Sequence, residues 1–530
     1  MTVGNPLTVC AAFERAARIF RDYEAAVDSV SRLTFGELDE ASRRCVSMLR
    51  SEGVVAGMRV GLLTLPSTVH LVAWLAVVRL GAIPVVFHTR EAAPLLARLC
   101  EKFGIRVVLH NASLTAAVAE IDGECSASVK GIALATGTTA AETSSAGEVL
   151  RELHAFAPAD DLAAPAEDDV ATIILSSGTT SLPKGVVHTH RGMLDAARSA
   201  LAMYAGLRPG GRVIVPYSTA FTGCYATWLP FLNVGGCCVF LEKFELPQYL
   251  ATVRRERITH MSLTPTMWRK LLTLDSDPDT YTSVVQAHFA AEPMDSTTLQ
   301  RIRDTVTPHV VQAYGSTETL GLVTVNVDED MEGERLISVG RPFPNAEVRI
   351  IQQGGHVDDV VSVGEVGQVM VTSPTVAEGI WGDETMSAKL FDVDAQGRRW
   401  WRSGDLGRLD RDGFLFLEGR ADDMIISGGI NIMPAAVEEV LLAHPSVVEA
   451  AVVGLPDPAW GQQVHAFVVS SDPSLTADDL DRHVSTSSLS SYQRPRGFRI
   501  VASLPRTATN KLNRRLLRET ATAVAEVMTK

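Results

Sequence analysis

Residues 171–187 read ATIILSSGTTSLPKGVV. The first five residues are apolar or β-branched, as a buried strand requires. Between Ser176 and Val186 the chain then gathers five hydroxyl side chains, two glycines and one lysine. A strand, a hydroxyl-rich loop and a lysine together make a cradle for a polyanion. Backbone N–H groups freed by Gly178, the hydroxyls of Ser177, Thr179 and Thr180, and the Lys184 ammonium can all converge on one phosphate chain. The pattern is not a Walker A loop, because Pro183 stands where the second glycine of that motif belongs. A plain solvent-facing loop has the same composition, so the reading depends on the rest of the chain.

Outward from this stretch, apolar runs alternate with amphipathic segments through the first 340 or so residues, as in VGLLTL (60–65), IRVVLH (105–110) and RVIVPY (212–217). That alternation predicts an α/β fold with largely parallel sheets. LVAWLAVVRLGAIPVVF (71–87) is the most apolar stretch, but Arg79, Gly81 and Pro84 interrupt it. It reads as a buried helix, a glycine stop and a strand rather than a membrane span. Residues 113–168 end in APADDLAAPAEDD, a surface connection into strand 171–175. From Arg341 the texture changes to short strands with glycine turns, and Asp412-Gly413 marks a hairpin. MPAAVEEVLLAHP (433–445) reads as a helix with Pro434 in its first turn, followed by the strand VVEAAVVGL.

The chain has 530 residues, beyond the size at which a single core stops growing, so a subdivided body is expected. Hydrophobic residues make up 46% and charged residues 21%, an ordered globular balance. A formal charge of −14 repels nucleic acid and anionic lipid, so an anionic ligand needs a local cationic pocket. Seven cysteines, none spaced C-x-x-C, fit reduced thiols in a cytoplasmic protein. The first twenty residues carry no secretory pattern.

Three later segments stand in series with the loop: AYGSTET (313–319), WRSGDLG with LEGRADDMIISGGINI (401–407 and 417–432), and PRTATNKLNRR (505–515). In this order the chain resembles the adenylate-forming superfamily, and GRADDMIISGGINIMP with the NK of ATNKL is closest to its acyl- and aryl-CoA ligase branch. The resemblance implies a large N-terminal domain, residues 1–421, with two α/β subdomains (about 1–340) and a small β-barrel-like subdomain (about 341–420). A small mobile α+β C-terminal domain, 422–530, would follow. It implies ATP, Mg²⁺ and coenzyme A: a carboxylate attacks the α-phosphate of ATP, and a thiol then takes the acyl group.

Carried over by position, Ser177, Gly178, Thr179, Thr180 and Lys184 match the loop on the β- and γ-phosphates. Ser181 stands where relatives usually have glycine. Tyr314 and Gly315 match the adenine platform, Thr317 a phosphate contact and Glu318 the Mg²⁺ ligand. Asp405 matches the acid on the ribose hydroxyls, with Arg420 beside it. Asp422 matches the hinge, and Gly428 and Gly429 the edge that meets the thiol arm. Lys511 matches the lysine that bridges carboxylate and α-phosphate, ahead of RRLLRE, which alone reads as a basic surface helix.

Substrate choice is expected near PYSTAFTG (216–223) and HFAAEPM (288–294), with Thr219, Phe221, Ala290 and Ala291 lining the pocket. No acid lies between Pro216 and Gly223, which disfavours an α-amino acid; an apolar acid, bulky or aryl, fits a neutral pocket. His188 and His190, two apart, would share a strand face, with a loop-supporting role preferred over metal binding. A carrier-protein phosphopantetheine as acceptor, a partner enzyme for one half-reaction, a luciferase-type oxygenase and a non-catalytic nucleotide binder remain open beside the CoA ligase.

Overall fold

Apolar runs of four to seven residues become the strands of two large sheets in the computed structural model, which describes residues 7–134, 150–162, 164–176, 182–274, 277–292, 294–487, 489–506 and 512–528. The chain divides into two compact units. The first comprises Met1–Arg349, Met370–Trp401 and Arg411–Leu415; the second comprises Ile350–Val369, Arg402–Asp410 and Phe416–Lys530.

In the first unit, a nine-stranded sheet runs in the order Arg341–Pro342, Thr324–Val327, Val310–Tyr314, Gln286–Ala290, His260–Leu263, Arg212–Val215, Cys237–Phe240, Glu24–Val27, Arg32–Thr34. Its six central strands are parallel, and the edge strands at both ends run antiparallel. A seven-stranded sheet has the order Gly379–Ile380, Lys184–Thr189, Val170–Ser176, Ile83–Val86, Arg59–Leu63, Val107–Asn111, Lys130–Leu134. Four of its pairings are parallel, while Lys184–Thr189 turns back antiparallel on Val170–Ser176. The predicted α/β architecture is present.

The apolar stretch near residue 75 forms the helix Thr68–Arg79, followed by Gly81 at φ +77° and the strand Ile83–Val86. Arg79 does not interrupt burial; it is itself buried. Its guanidinium donates to Asp39 Oδ1 at 2.5 Å and Ser42 Oγ at 2.5 Å, and lies 5.4 Å from the Phe13 ring centre. A buried charge survives only with such partners. Another ionic cluster ties the N-terminal hairpin to later parts of the same nine-stranded sheet. Arg32 and Arg212 both donate to Glu24 at 2.6 Å and to Glu256 at 3.0 and 2.7 Å. The Arg32 bond leads in holding the Glu24 carboxyl down to about 2.

Well ahead of the APADDLAAPAEDD connection, the stretch that begins at residue 113 forms regular structure. It contains the helix Thr115–Glu124 and the strand Lys130–Leu134, an edge strand whose lysine and glycine hide it from a search for apolar runs. Residues 341–420 are rich in short strands, and Gly413 takes φ +83° between Arg399–Leu409 and Leu415–Arg420.

The second unit contains a sheet ordered Ile430–Ile432, Ile425–Ser427, Gly461–Ser470, Val447–Asp457, with Gly497–Ile500 also paired to Gly461–Ser470. The helix Pro434–Leu442 buries Val437 and Leu441 against Val452, Val464 and Val468. No helix among the described residues is long and apolar enough to cross a membrane.

Candidate active site

Four neighbouring parallel strands, Arg212–Val215, His260–Leu263, Gln286–Ala290 and Val310–Tyr314, end on the same side of the large sheet. Loops beyond the carboxyl ends of parallel strands are where such sheets bind ligands. Across the last three strands Ser262 stands opposite His288, His288 opposite Val311, and Ala290 opposite Ala313. Ser262, Ala290, Ala313 and Tyr217 are only half-buried although the strands around them are internal. Solvent therefore reaches down this row.

Phe221 caps the helix Thr222–Asn233, and its ring centre lies 5.0 Å from that of His88. Thr219 is fully buried, and its hydroxyl donates to the Thr64 carbonyl at 3.0 Å, tying this loop to the other sheet. Ala290 ends its strand and Ala291 adopts φ +75°, a left-handed conformation costly for any residue with a Cβ. Glu292 is committed locally, accepting from Thr266 N at 3.2 Å and Thr266 Oγ1 at 2.6 Å.

Tyr314 closes its strand opposite Thr324 and leads into a tight turn. A Cβ on Gly315 would lie 2.2 Å from the Gly321 carbonyl carbon and 2.6 Å from Leu322 N, so only glycine fits. Gly315→Ala is expected to cost about 3 kcal/mol through forced backbone displacement, read as a lowered melting temperature.

Ser316 stands at the N-cap of the short helix Thr317–Thr319; its backbone N–H donates to Thr319 Oγ1 at 3.1 Å, and its hydroxyl donates to the Glu318 carboxylate. Three separate segments grip the turn. Thr222 Oγ1 donates to Thr317 Oγ1 at 3.1 Å, Ala377 N donates to the Glu318 carbonyl at 2.8 Å, and His188 Nε2 bonds the Thr317 carbonyl at 2.8 Å. The sequence reading missed the partnership of His188 and Thr317. They lie 129 residues apart, and no local pattern joins them.

Ser177, Gly178, Thr179, Thr180 and Ser181 lie outside the described residues, but both flanks of the loop are placed. Ser176 pairs with Lys184 across antiparallel strands. Lys102 Nζ donates to the Pro183 carbonyl at 3.1 Å, and a Cβ on Gly185 would meet the Phe103 ring at 2.5 Å. His190 does not share a strand face with His188. The strand stops at Thr189, whose hydroxyl accepts from Gly192 N at 3.2 Å and caps the helix His190–Ala200. No group of three or more metal-ligating His, Cys, Asp or Glu occurs among the described residues.

In the second unit, Arg420 Nη1 donates to Asp405 Oδ1 at 3.2 Å and to the Ser403 carbonyl at 3.1 Å. Gly404 has φ +75°, and a Cβ there would press on Arg420 Nη2 at 2.9 Å. Asp422 lies in the short turn Ala421–Asp423. Gly428 and Gly429 both take positive φ, +58° and +81°, and Gly428 N donates to the Trp460 carbonyl at 2.8 Å. The indole packs so closely that a Cβ on Gly428 would lie 2.6 Å from it. Lys511 is outside the described residues. The helix that follows, Arg514–Met528, is no plain basic surface: Arg514 Nη2 donates to both Glu438 oxygens at 2.6 Å, and Arg518 to Asp423 at 3.3 Å.

The family model described as AMP-binding enzyme matches residues 13–381, and that of the AMP-binding enzyme C-terminal domain matches 436–511. The chain belongs to the AMP-binding enzyme family, in its acyl- and aryl-CoA synthetase branch. It is 33% identical to a 4-chlorobenzoate–CoA ligase of an Arthrobacter species over 500 residues, 93% of this chain and 91% of the relative. A 2-succinylbenzoate–CoA ligase of Bacillus licheniformis is 29% identical over 512 residues, covering 95% and 98%. The structure of o-succinylbenzoate CoA synthetase from Bacillus subtilis with its acyl-adenylate intermediate superposes with TM-score 0.82, at 28% identity and 96% and 97% coverage. That protein has also been solved with ATP and magnesium ion.

Proposed function

We propose that this protein is an ATP-dependent acid–CoA ligase for an apolar carboxylic acid of aryl type. The observation that carries the reading is the row of strand ends in which half-buried Ala290 and Ala313 lie beside the Tyr314–Thr319 turn. Small apolar residues there leave room for an uncharged ring, and the turn offers oxygens for a nucleotide and its metal. The relatives that act on 4-chlorobenzoate and 2-succinylbenzoate support an aromatic acid.

Each residue has a task in this reading. Lys184, with the loop 177–181, neutralises the β- and γ-phosphates. Tyr314 packs on adenine, and Thr317 donates to phosphate. Magnesium fits the donor set at 316–318, which offers only hydroxyl, carbonyl and carboxylate oxygens. When bound it supplies charge neutralisation on the triphosphate. Glu318 is its carboxylate. Asp405, held by Arg420, accepts from the ribose hydroxyls. Lys511 brings the acid's carboxylate to the α-phosphate as a compact point charge. The carboxylate oxygen then bonds to the α-phosphorus and pyrophosphate leaves. Rotation at Asp422 and approach of the Gly428-Gly429 edge belong to the second half, in which thiolate sulfur replaces AMP at the acyl carbon.

The test is pyrophosphate release against a panel of aliphatic, aryl and polycyclic acids, with and without CoA. Turnover that needs CoA and yields an aryl-CoA is the expected result. Release that stops after one equivalent, leaving acyl-AMP bound, would move the acceptor to a carrier-protein phosphopantetheine. Preference for long aliphatic acids would overturn the aryl assignment.

A further inference from the structure

The strand Lys184–Thr189 begins at a phosphate-loop lysine and ends under the turn that carries Glu318. Alternation along it puts Lys184, Val186 and His188 on one face, with lysine and histidine about 13 Å apart along the backbone. His188 is buried, and desolvation pushes its imidazole down to about 4, so it is uncharged near neutral pH. Its partner at 2.8 Å is the Thr317 carbonyl. A carbonyl can only accept, so Nε2 carries the ring proton and donates.

Of the other two grips, Thr222 opens the helix Thr222–Asn233, and Ala377 precedes the two-residue strand Gly379–Ile380, which pairs with the lysine's strand, so its tie to that strand is indirect. Among the described residues, His188 is the link to the turn that comes from the lysine's own strand. The strand is itself anchored, since Thr172 faces His188 across the antiparallel pair and Phe103 fills the space over Gly185.

We propose that His188 is a positioning residue for adenylation. It sets the Thr317–Glu318 turn at a fixed distance from Lys184, so that cation and carboxylate engage one triphosphate together. This rests on the roles proposed above for Lys184, Thr317 and Glu318. It assigns to His188 no contact with substrate. Loss of the bond leaves the part-buried Thr317 carbonyl with only the longer bond from Leu320 N at 3.3 Å, and the turn is then tied to the lysine's strand only indirectly, through Ala377 and the paired Gly379–Ile380.

The test separates the two half-reactions in the full-length protein. His188→Leu is expected to slow pyrophosphate release at saturating ATP and acid by about 10- to 100-fold, the range seen when an outer partner of a metal ligand is lost. Conversion of supplied acyl-adenylate and CoA to acyl-CoA should stay within about twofold of the parent, because that step has no triphosphate to position. His188→Gln, whose amide can take the place of Nε2, should restore adenylation, whereas the shorter His188→Asn should not. If the leucine variant does not fold, the glutamine and asparagine pair decides: equal activity in both overturns the inference. So does an equal loss in the two half-reactions. Glu318→Gln is run alongside: if it too leaves adenylation intact, the reading of the turn fails, and not merely the role of His188.

Discussion

Replacing Glu318 by Gln is expected to reduce pyrophosphate release by at least about 10²-fold, roughly 2.7 kcal/mol of transition-state stabilisation. The substitution keeps the size of the side chain and an acceptor for the Ser316 hydroxyl. The Glu318 carbonyl still accepts from Ala377 N, so the turn is not dismantled. What disappears is one negative charge among oxygens otherwise contributed by hydroxyls and carbonyls. A hard divalent ion depends on that charge. Raising magnesium should recover part of the rate, and thioester formation from supplied acyl-adenylate should be spared. A variant with full adenylation activity would remove Glu318 from the metal site.

Acid should unfold this protein earlier than its carboxylates would dictate. Burial holds His70 at about 3 and His188, His190 and His260 at about 4, and His288 is displaced well below the ordinary value. Unfolded histidines take up protons near pH 6.5, whereas these folded ones stay neutral until pH approaches 4. Proton uptake therefore favours the unfolded chain throughout that window. Each such group costs at most about 1.4 kcal/mol per pH unit. Five acting together draw several kcal/mol per unit from a total of about 5–15 kcal/mol. Glu24 behaves differently. With its carboxyl near 2, its contribution is present above its unfolded value and lost only as pH falls through about 2. The melting temperature is thus expected to fall steeply between pH 6.5 and 4.5, followed by circular dichroism in matched ionic strength. A flat melting temperature down to pH 5 would contradict the burial of these rings.

The α/β class was legible because strand runs such as 171–175 and 212–217 are apolar on both faces, the mark of a sheet covered by helices on each side. The helix near residue 75 was legible for the same reason. The strand Lys130–Leu134 was not, because an edge strand can carry lysine and glycine at no cost. Nor was the buried state of Arg79, whose partners Asp39 and Ser42 come from a preceding helix. At the site, the segments around Lys184, Glu318, Asp405 and Gly428 stand out in the sequence by residue type and order, and the roles given to them are those proposed above. Their supports do not stand out. The contacts of Thr219 with Thr64, His188 with Thr317 and Thr222 with Thr317 join segments 155, 129 and 95 residues apart. Only strand order and register bring such pairs together.

The indole of Trp460 packs close to Gly428 yet is 56% exposed, while Trp74, Trp228, Trp268 and Trp400 are wholly buried. Tryptophan emission reports the polarity around the ring, and a dissolved quencher such as iodide reaches only a solvent-facing one. The protein thus carries its own fluorophore at the double-glycine turn, and replacing the partly exposed Trp381 by Phe leaves Trp460 as the accessible one. Stopped-flow fluorescence, with the quencher-accessible part of the signal isolated, can time what happens at that turn during each half of the catalytic cycle without any added label.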